Sequence, residues 1–408
     1  MNEIESAIII ANGRIRPMSE EGEFSGSVLV NGSKISMIVK HSLMSSGVDE
    51  IYLRNIFQLE ENIPIRVIDT QGKSVLPGFI DAHCHVGIGE EIYQYEGDDL
   101  NEMTDPLTPE VRAIDGINPE DVGFRDARLG GVTCVFSCPG SANVVGGTGV
   151  VLKTAGRVVE DMIVRDPAGL KVAFGENPKT VYGEQKKMPM TRMGTAALLR
   201  QVLVDARNYK EKLELGQKDP DKAPERDLGM ETINLVLEKK MPLRAHAHRA
   251  DDIMTAIRIA REFDVDLVLD HCTDGHKIAD IIKTYDYPAI VGPSLVNRAK
   301  VELKDKTFKT PGVLAGLGVK VAIMTDHSVT PIEHLPLCAA LAVRNGMREE
   351  DALKAITVWP AQILGVAERI GTIEIGKDAD LVIWDGNPLS LESNPEVVMI
   401  NGKIVKPE

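Results

Sequence analysis

The feature that most limits what this chain can fold into is an alternation running through its middle. Apolar runs rich in Val, Ile and Leu recur at Val132 to Phe136, Gly169 to Phe174, Leu243 to Ala247, Leu267 to Leu269, Ala289 to Val291 and Val319 to Met324. Helix-length patterns lie between and after them: Met193 to about Leu215, Asp251 to Phe263, His276 to Ile282, His334 to Val343 and Glu350 to Thr357. A further run, Phe79-Ile80-Asp81-Ala82, opens the series just after the punctuating Pro77-Gly78. Runs that are apolar throughout belong to strands covered on both faces. Strand–helix alternation predicts either a (β/α) barrel or a doubly wound sheet. No GxGxxG opens the first helix, so the barrel is favoured.

The two ends read differently. Short strands are expected at Ile8 to Ile10, Ser27 to Val30, Ile35 to Val39 and Arg66 to Asp69, with hairpin signals at Asn12-Gly13 and Asn31-Gly32. Strands return at Gly371 to Glu374, Ala379 to Trp384, Val397 to Asn401 and Lys403 to Val405, with another turn at Asn401-Gly402. Strands at both ends of one barrel suggest that residues 1–76 and 377–408 pair into one small β domain around a barrel of 77–376. The charge-rich stretch Tyr209 to Asp227 reads as a solvated helix end and loop, and the chain has no internal repeat.

Charge narrows the partners. Lysine and arginine number 46 against 61 acids, a net of 46 − 61 = −15, which repels phosphate backbones and anionic lipid. No Lys/Arg run is long enough to offset that, so neither nucleic acid nor membrane is expected as a partner. No apolar stretch approaches the ~20 residues of a membrane span. The start, with Glu3 and Glu5 before a short apolar run, lacks the basic segment of a signal peptide. The five cysteines are scattered without a CxxC pair, which fits a reducing cytoplasm.

Of nine histidines, five sit at or just beyond the end of an expected strand: His83, His85, His246, His248 and His271. Asp326 closes another. In a (β/α) barrel all strand C-termini open on one face, where sites are built. Residues distant in sequence therefore converge. Imidazoles and a carboxylate on one face suit Zn²⁺ or a similar ion. His83 and His85, two apart on an extended segment, point to the same side. Singly, each has a plainer reading: a core histidine, or for Asp326 a helix cap. The joint register with the strand ends favours the metal. His41, His276 and His334 keep structural readings, Cys84 and Cys272 read as core fillers, and His327 beside Asp326 is placed to touch a substrate.

These motifs resemble the amidohydrolase superfamily, and most of all its imidazolonepropionase-like and prolidase-like hydrolases. The likeness rests on Leu-Pro-Gly-Phe-Ile-Asp-Ala-His-Cys-His (76–85), Gly-Gly-Val-Thr (130–133), Leu-Asp-His (269–271), Thr-Asp-His (325–327) and the tail Gly-Thr-Ile-Glu-Ile-Gly-Lys-Asp-Ala-Asp-Leu-Val-Ile-Trp (371–384). It implies a TIM (β/α)8 barrel with a small β-sandwich built from both termini. It also implies one or two divalent metals, Zn²⁺ first with Mn or Fe as alternatives, and hydrolysis of a C–N bond.

Carried over by position, the resemblance makes His83, His85, His246, His271 and Asp326 metal ligands, with His248 left for substrate. The choice between His246 and His248 falls on His246. Binuclear relatives bridge two ions with a carboxylated lysine or a glutamate near the fourth strand. Lys171 and Glu176 are the candidates here, with Lys153 more distant, and Glu176 is preferred as an anion at a strand end. Zinc makes hydroxide available near neutral pH. Asp326 would take the water's proton and pass it to the leaving nitrogen, with His271 or His248 polarising the carbonyl. Ser137 to Gly149 reads as a Gly/Ser-rich loop able to cradle an anion. Asn143, Tyr182, Arg192 and Arg249 are candidate anchors for a substrate carboxylate. The expected function is thus a metal-dependent amidohydrolase of a small molecule, with a homo-oligomer expected. Alternatives are a dipeptidase, a deaminase (weakened by the lack of an acid three residues after the histidine) and a non-catalytic barrel scaffold.

Overall fold

A computed structural model describes residues 7–44, 47–92 and 94–406; Glu3 and Glu5, read above, lie outside the described residues. Among the described residues, sixteen strands are distributed over two sheets of eight. In chain order they are β1 (Ala7–Ile15), β2 (Phe24–Asn31), β3 (Lys34–Lys40), β4 (Ile65–Asp69), β5 (Ser74–Pro77), β6 (Phe79–Cys84), β7 (Val132–Ser137), β8 (Val145–Lys153), β9 (Ile163–Ala173), β10 (Leu243–Ala247), β11 (Leu267–His271), β12 (Ala289–Val291), β13 (Val321–Ile323), β14 (Leu381–Trp384), β15 (Pro395–Ile400) and β16 (Lys403–Lys406).

The central sheet runs β6 to β13 in sequence order. It is nearly closed: Asp326 N–H donates to His83 O at 3.3 Å and His85 N–H to His327 O at 2.9 Å across the gap between the first strand and the segment after the last. The Asp81 carboxylate adds a clamp, accepting from Thr325 N at 3.0 Å and His83 N at 3.1 Å. The third strand departs from the expected barrel. β8 runs antiparallel to both β7 and β9, while every other pairing in the sheet is parallel. The barrel expected from sequence is therefore corrected at one strand of eight.

β8 takes up the last part, Val145 to Gly149, of the segment read as a Gly/Ser-rich loop. Its glycines are there for close approach. A Cβ on Gly149 would lie 2.4 Å from the Phe136 ring, and one on Gly147 2.3 Å from Val111 O. Helices cover the sheet by burying one stripe each. Along Ala250–Phe263 the buried Ile253, Ala256, Ile257, Ala260 and Phe263 recur at helical spacing, and Asp264 ends the helix in the left-handed conformation. The helix expected at 193–215 runs Arg192–Lys218, reaching into the charged stretch.

The second sheet joins both ends of the chain, in the order β16-β15-β14-β5-β1-β2-β3 with β4 beside β1. Where a sandwich was expected, seven of the strands follow one hydrogen-bonded path and β4 pairs with β1 beside it. One face gathers Ile10, Val28, Val30, Val75, Leu381 and Met399 into a single cluster; the other packs Ile9, Ala11 and Leu29 against Leu53 and Phe57 of the helix Glu50–Phe57. Two turn readings differ in outcome. Asn401-Gly402 forms the tight β15–β16 turn, both residues at positive φ. Asn12-Gly13 is instead an irregularity inside β1, where the register with β2 shifts. The strand expected at Gly371 to Glu374 is irregular backbone, its Ile373 N–H bonded to Pro17 O.

Candidate metal centre

The strand ends of β6, β10, β11 and β13 bring their histidines and Asp326 together at one mouth of the barrel. His83 Nε2 lies 3.4 Å and His85 Nε2 3.2 Å from Asp326 Oδ1. The rings of His246 and His271 are 4.0 Å apart, centroid to centroid, those of His248 and His271 4.6 Å, and those of His83 and His271 5.1 Å. Two triads have ligand atoms within 4.8 Å of one another: His83, His271 and Asp326, and His246, His248 and His271. His271 belongs to both. The backbone is strained where it delivers these groups, since His271 at φ 67° and Asp326 at φ 55° are both left-handed without being glycine.

The outer ring nitrogens are tied down. His83 Nδ1 meets Asp270 Oδ2 at 2.9 Å, His85 Nδ1 meets Cys138 O at 2.7 Å, His271 Nδ1 meets Gly292 O at 2.9 Å and His248 Nδ1 meets Thr273 Oγ1 at 2.8 Å. For His83, His85 and His271 that carboxylate or carbonyl acceptor fixes the proton on Nδ1 and turns the Nε2 lone pair inward, whereas the Thr273 hydroxyl can either donate to or accept from His248. His271 Nε2 and both nitrogens of His246 are buried without a hydrogen-bond partner, and Asp326 Oδ1 has only the His83 and His85 rings beside it. Buried orphans of this kind are rare and call for an explanation.

The electrostatics agree. Burial holds His246 and His271 well below the usual imidazole range, and burial with the Lys300 charge brings His248 down to about 3. All three are neutral and can donate a lone pair. Burial acts to raise Asp326, but His271 and hydrogen bonds from His83 and His85 outweigh it and keep the carboxylate well below its ordinary range. His83 is the exception. Burial and Lys171 oppose its cation, yet Cys138 and Asp270 lift it to about 9. A protonated imidazole between two carboxylates stands where a divalent cation would relieve the same charges. Once His83 gives up that proton, the donor set and its orphaned atoms fit such an ion.

The expected residues divide on inspection. Lys171, on β9, reaches the centre, with its amine 3.2 Å from His83 Nε2 and 3.6 Å from Cys138 Sγ. Glu176 belongs to neither triad; it begins the helix Glu176–Glu184, and its backbone N–H donates to Glu302 Oε2 at 3.0 Å. Lys153 points away from the site and is ion-paired with Asp378 and Asp380. Asn143 and Tyr182 are bonded to each other at 2.6 Å, and further to Glu102 O and Asp105 O, which ties down the segment 102–108. Arg192 is paired with Asp252 and Arg249 with Asp251. His327 is fully buried, its Nδ1 accepting from Ile332 N at 3.2 Å and its Nε2 3.7 Å from Glu91.

Glu302 was not anticipated. It comes from the loop beyond β12 and is 3% exposed, with Oε1 unpartnered and 3.7 Å from His248 Nε2. It also lines a cavity of about 390 Å³ together with Arg249, Asp274 and Lys277. Nothing in the charged run Arg298 to Lys306 distinguishes Glu302 from its solvated neighbours.

A nearly closed barrel carrying convergent, ligand-ready histidines at its strand ends defines a class of barrel proteins with a metal site at the C-terminal mouth. Comparison with known proteins names the family. The Amidohydrolase family model matches residues 213–405. A solved amidohydrolase from Thermotoga maritima MSB8 is 46% identical, covering 98% of this chain and 99% of that one, with a TM-score of 0.90. The chain belongs to the amidohydrolase family. It is also 29% identical over 359 residues to amidohydrolase tasK of Hapsidospora irregularis, across 82% of this chain but only 37% of that protein, so it spans little more than a third of that relative. An imidazolonepropionase from Cutibacterium acnes is 26% identical over 77% of this chain and 76% of its own length.

Proposed function

We propose that this chain hydrolyses a C–N bond, in a cyclic amide or an amide-linked small molecule, using a divalent cation held by His83, His85, His246, His271 and Asp326. The observation that carries this reading is the set of buried imidazole nitrogens of His246 and His271 without protein partners at the barrel mouth, beside a carboxylate met only by other histidines. Zn²⁺ suits donors of this kind, with Mn or Fe the alternatives. When bound, the ion would make water acidic enough to ionise near neutral pH and polarise the scissile carbonyl.

The chain's own groups do the rest. Asp326, ionised and facing His83 and His85, accepts the proton of the attacking water and delivers it to the leaving nitrogen. Thr273 donates its hydroxyl to His248 Nδ1, which leaves the opposite N–H free to bond the developing oxyanion. Of the fourth-strand candidates, Lys171 is the better placed, because its amine already reaches His83. Carboxylated by CO₂ with loss of a proton, it would offer the second anion that a two-metal site needs. The likeness to an imidazolonepropionase supports a cyclic amide as the first substrate class to try. Residues 1–76 with 377–408 are read as one composite domain that braces the barrel of 77–376.

The test is direct. Metal content is measured on the purified protein, and lactams, hydantoins, N-acyl amino acids and dipeptides are screened with Zn²⁺- or Mn²⁺-loaded samples. Asp326→Asn is expected to lower turnover by about 10²–10⁴-fold with metal still bound. Wild-type turnover in that variant would refute the role given to Asp326, and a protein that takes up no metal would refute the reading as a whole.

A further inference from the structure

Beneath the histidines the barrel interior holds an ion pair. Such interiors are normally filled by layers of branched aliphatic side chains. Here Arg244 of β10, 1% exposed, places Nε 3.1 Å and Nη2 3.0 Å from Asp270 Oδ1, with Nη2 also 2.8 Å from Ala82 O. Its guanidinium carbon lies 3.9 Å from the centroid of the Phe136 ring. The chain makes room for it at Gly169 of β9, where a Cβ would lie 2.6 Å from Arg244 Cγ. The second oxygen of Asp270 faces His83 Nδ1.

Stability does not account for this pair. Desolvating two charges roughly cancels their attraction, and well-packed apolar residues of equal volume do as well or better. What the pair alone supplies is an ionised carboxylate, fixed in direction, on the rear of one particular imidazole. The other tethered histidines of the centre lean on neutral groups: a carbonyl for His85 and His271, a hydroxyl for His248. A carboxylate behind an imidazole fixes its tautomer and makes its far nitrogen a stronger donor.

We propose that Arg244 and Asp270 are positioning residues that make His83 the strongest donor of the centre, so that the side holding His83 and Asp326 binds its cation more tightly than the side that includes His246. This rests on the metal-centre reading above. Asp270 holds the imidazole, and Arg244 holds Asp270.

The experiment uses the full chain, stripped with a chelator and titrated with Zn²⁺ against a chromophoric competitor. Asp270→Asn is expected to weaken the tightest Zn²⁺ affinity by about 10–100-fold, the range seen when such outer partners are lost. The double variant Arg244→Met with Asp270→Leu replaces the pair by apolar side chains. It separates positioning from folding: its stripped form should unfold at a temperature near that of the stripped wild type, yet its Zn²⁺ affinity should stay at the level of Asp270→Asn. Wild-type affinity in either variant overturns the proposal. A wild-type chain that binds no Zn²⁺ overturns the metal centre itself, which is a distinguishable failure.

Discussion

Two of the clusters of buried ionisable groups among the described residues are built on opposite terms. At the seam between barrel and terminal sheet, Lys153 of β8 meets Asp378 at 3.0 Å and also Asp380, while Lys34 and Arg369 reach Asp378 at 2.6 and 2.9 Å. Asn401 N–H donates to Asp380 at 2.8 Å. The charges there are matched by partners from three parts of the chain. At the barrel mouth, by contrast, His246 and His271 keep buried ring nitrogens with no partner. A paired cluster is a fastening; a cluster with lone pairs left over is waiting for something. Burial and charge alone do not separate the two, whereas the count of satisfied atoms does.

The largest effect should come from breaking the fastening. Lys153→Met leaves Asp378 and Asp380 facing each other across a dry seam, and removing one partner of a buried pair costs about 3–5 kcal/mol. Thermal unfolding should move down sharply, by the same amount with or without chelator. His246→Phe at the mouth removes two orphaned nitrogens and should leave the stripped protein at least as stable as the stripped wild type. If both variants lose comparable stability, the distinction between the clusters fails.

Metal removal tests the other side of the comparison. A ligand that binds only the folded chain adds about 2.7 kcal/mol at one hundred times its dissociation constant. Chelation should therefore lower the unfolding midpoint of the wild type, and that difference should shrink in Asp326→Ala while surviving in any seam variant that still folds. A midpoint indifferent to Zn²⁺ and chelator alike would remove the reason for the orphaned atoms.

How much of this was legible beforehand depended on what a residue type has to do. The parallel strands β9 to β13 could be read because strands covered on both faces must be apolar throughout, and the ligand histidines because they stand in register with strand ends. β8 could not: its glycines serve close approach to Phe136 and Val111, and close approach looks like flexibility in a sequence. The same ambiguity hid the irregularity at Asn12-Gly13, which uses turn residues inside a strand. In the tail motif, Asp378 and Asp380 carried the family likeness, but their partners Lys34 and Lys153 are distant in sequence, so the seam existed only once the chain was folded. Asp270 and Arg244 were hidden for the same reason: each sits two or fewer residues from a ligand histidine, yet its partner is distant in sequence, Asp270 on the neighbouring strand for Arg244 and His83 on β6 for Asp270.

Acid should act on the seam with a definite sign. Burial raises the Asp378 carboxyl, but Lys153, Lys34 and Arg369 outweigh it, so its folded pKa lies below the ordinary 3.8. A depressed carboxylate contributes stability that is present above the unfolded value and lost as pH falls through the folded one. Urea midpoints measured from pH 6 down to pH 2 should therefore drop below about pH 4, and Asp378→Asn should show a shallower drop from a lower starting point. An unchanged acid slope in that variant would mean the seam's charges are not coupled to folding.

The smallest effect probes where the fastening ends. Lys34 shares Asp378 with Lys153 and Arg369, but its own side chain is 48% exposed. Water already solvates that ammonium, and an exposed partner in a pair contributes about 0–1 kcal/mol. Removing it leaves Asp378 with Lys153 and Arg369 still bound, so Lys34→Ala should shift the unfolding midpoint only slightly, and high salt should erase the shift. Lys153→Met, whose ammonium is 1% exposed, should remain destabilised in the same salt because no ions reach it. If Lys34→Ala instead matched Lys153→Met in size and salt resistance, the seam would be a single cooperative network rather than a buried pair with a solvated rim.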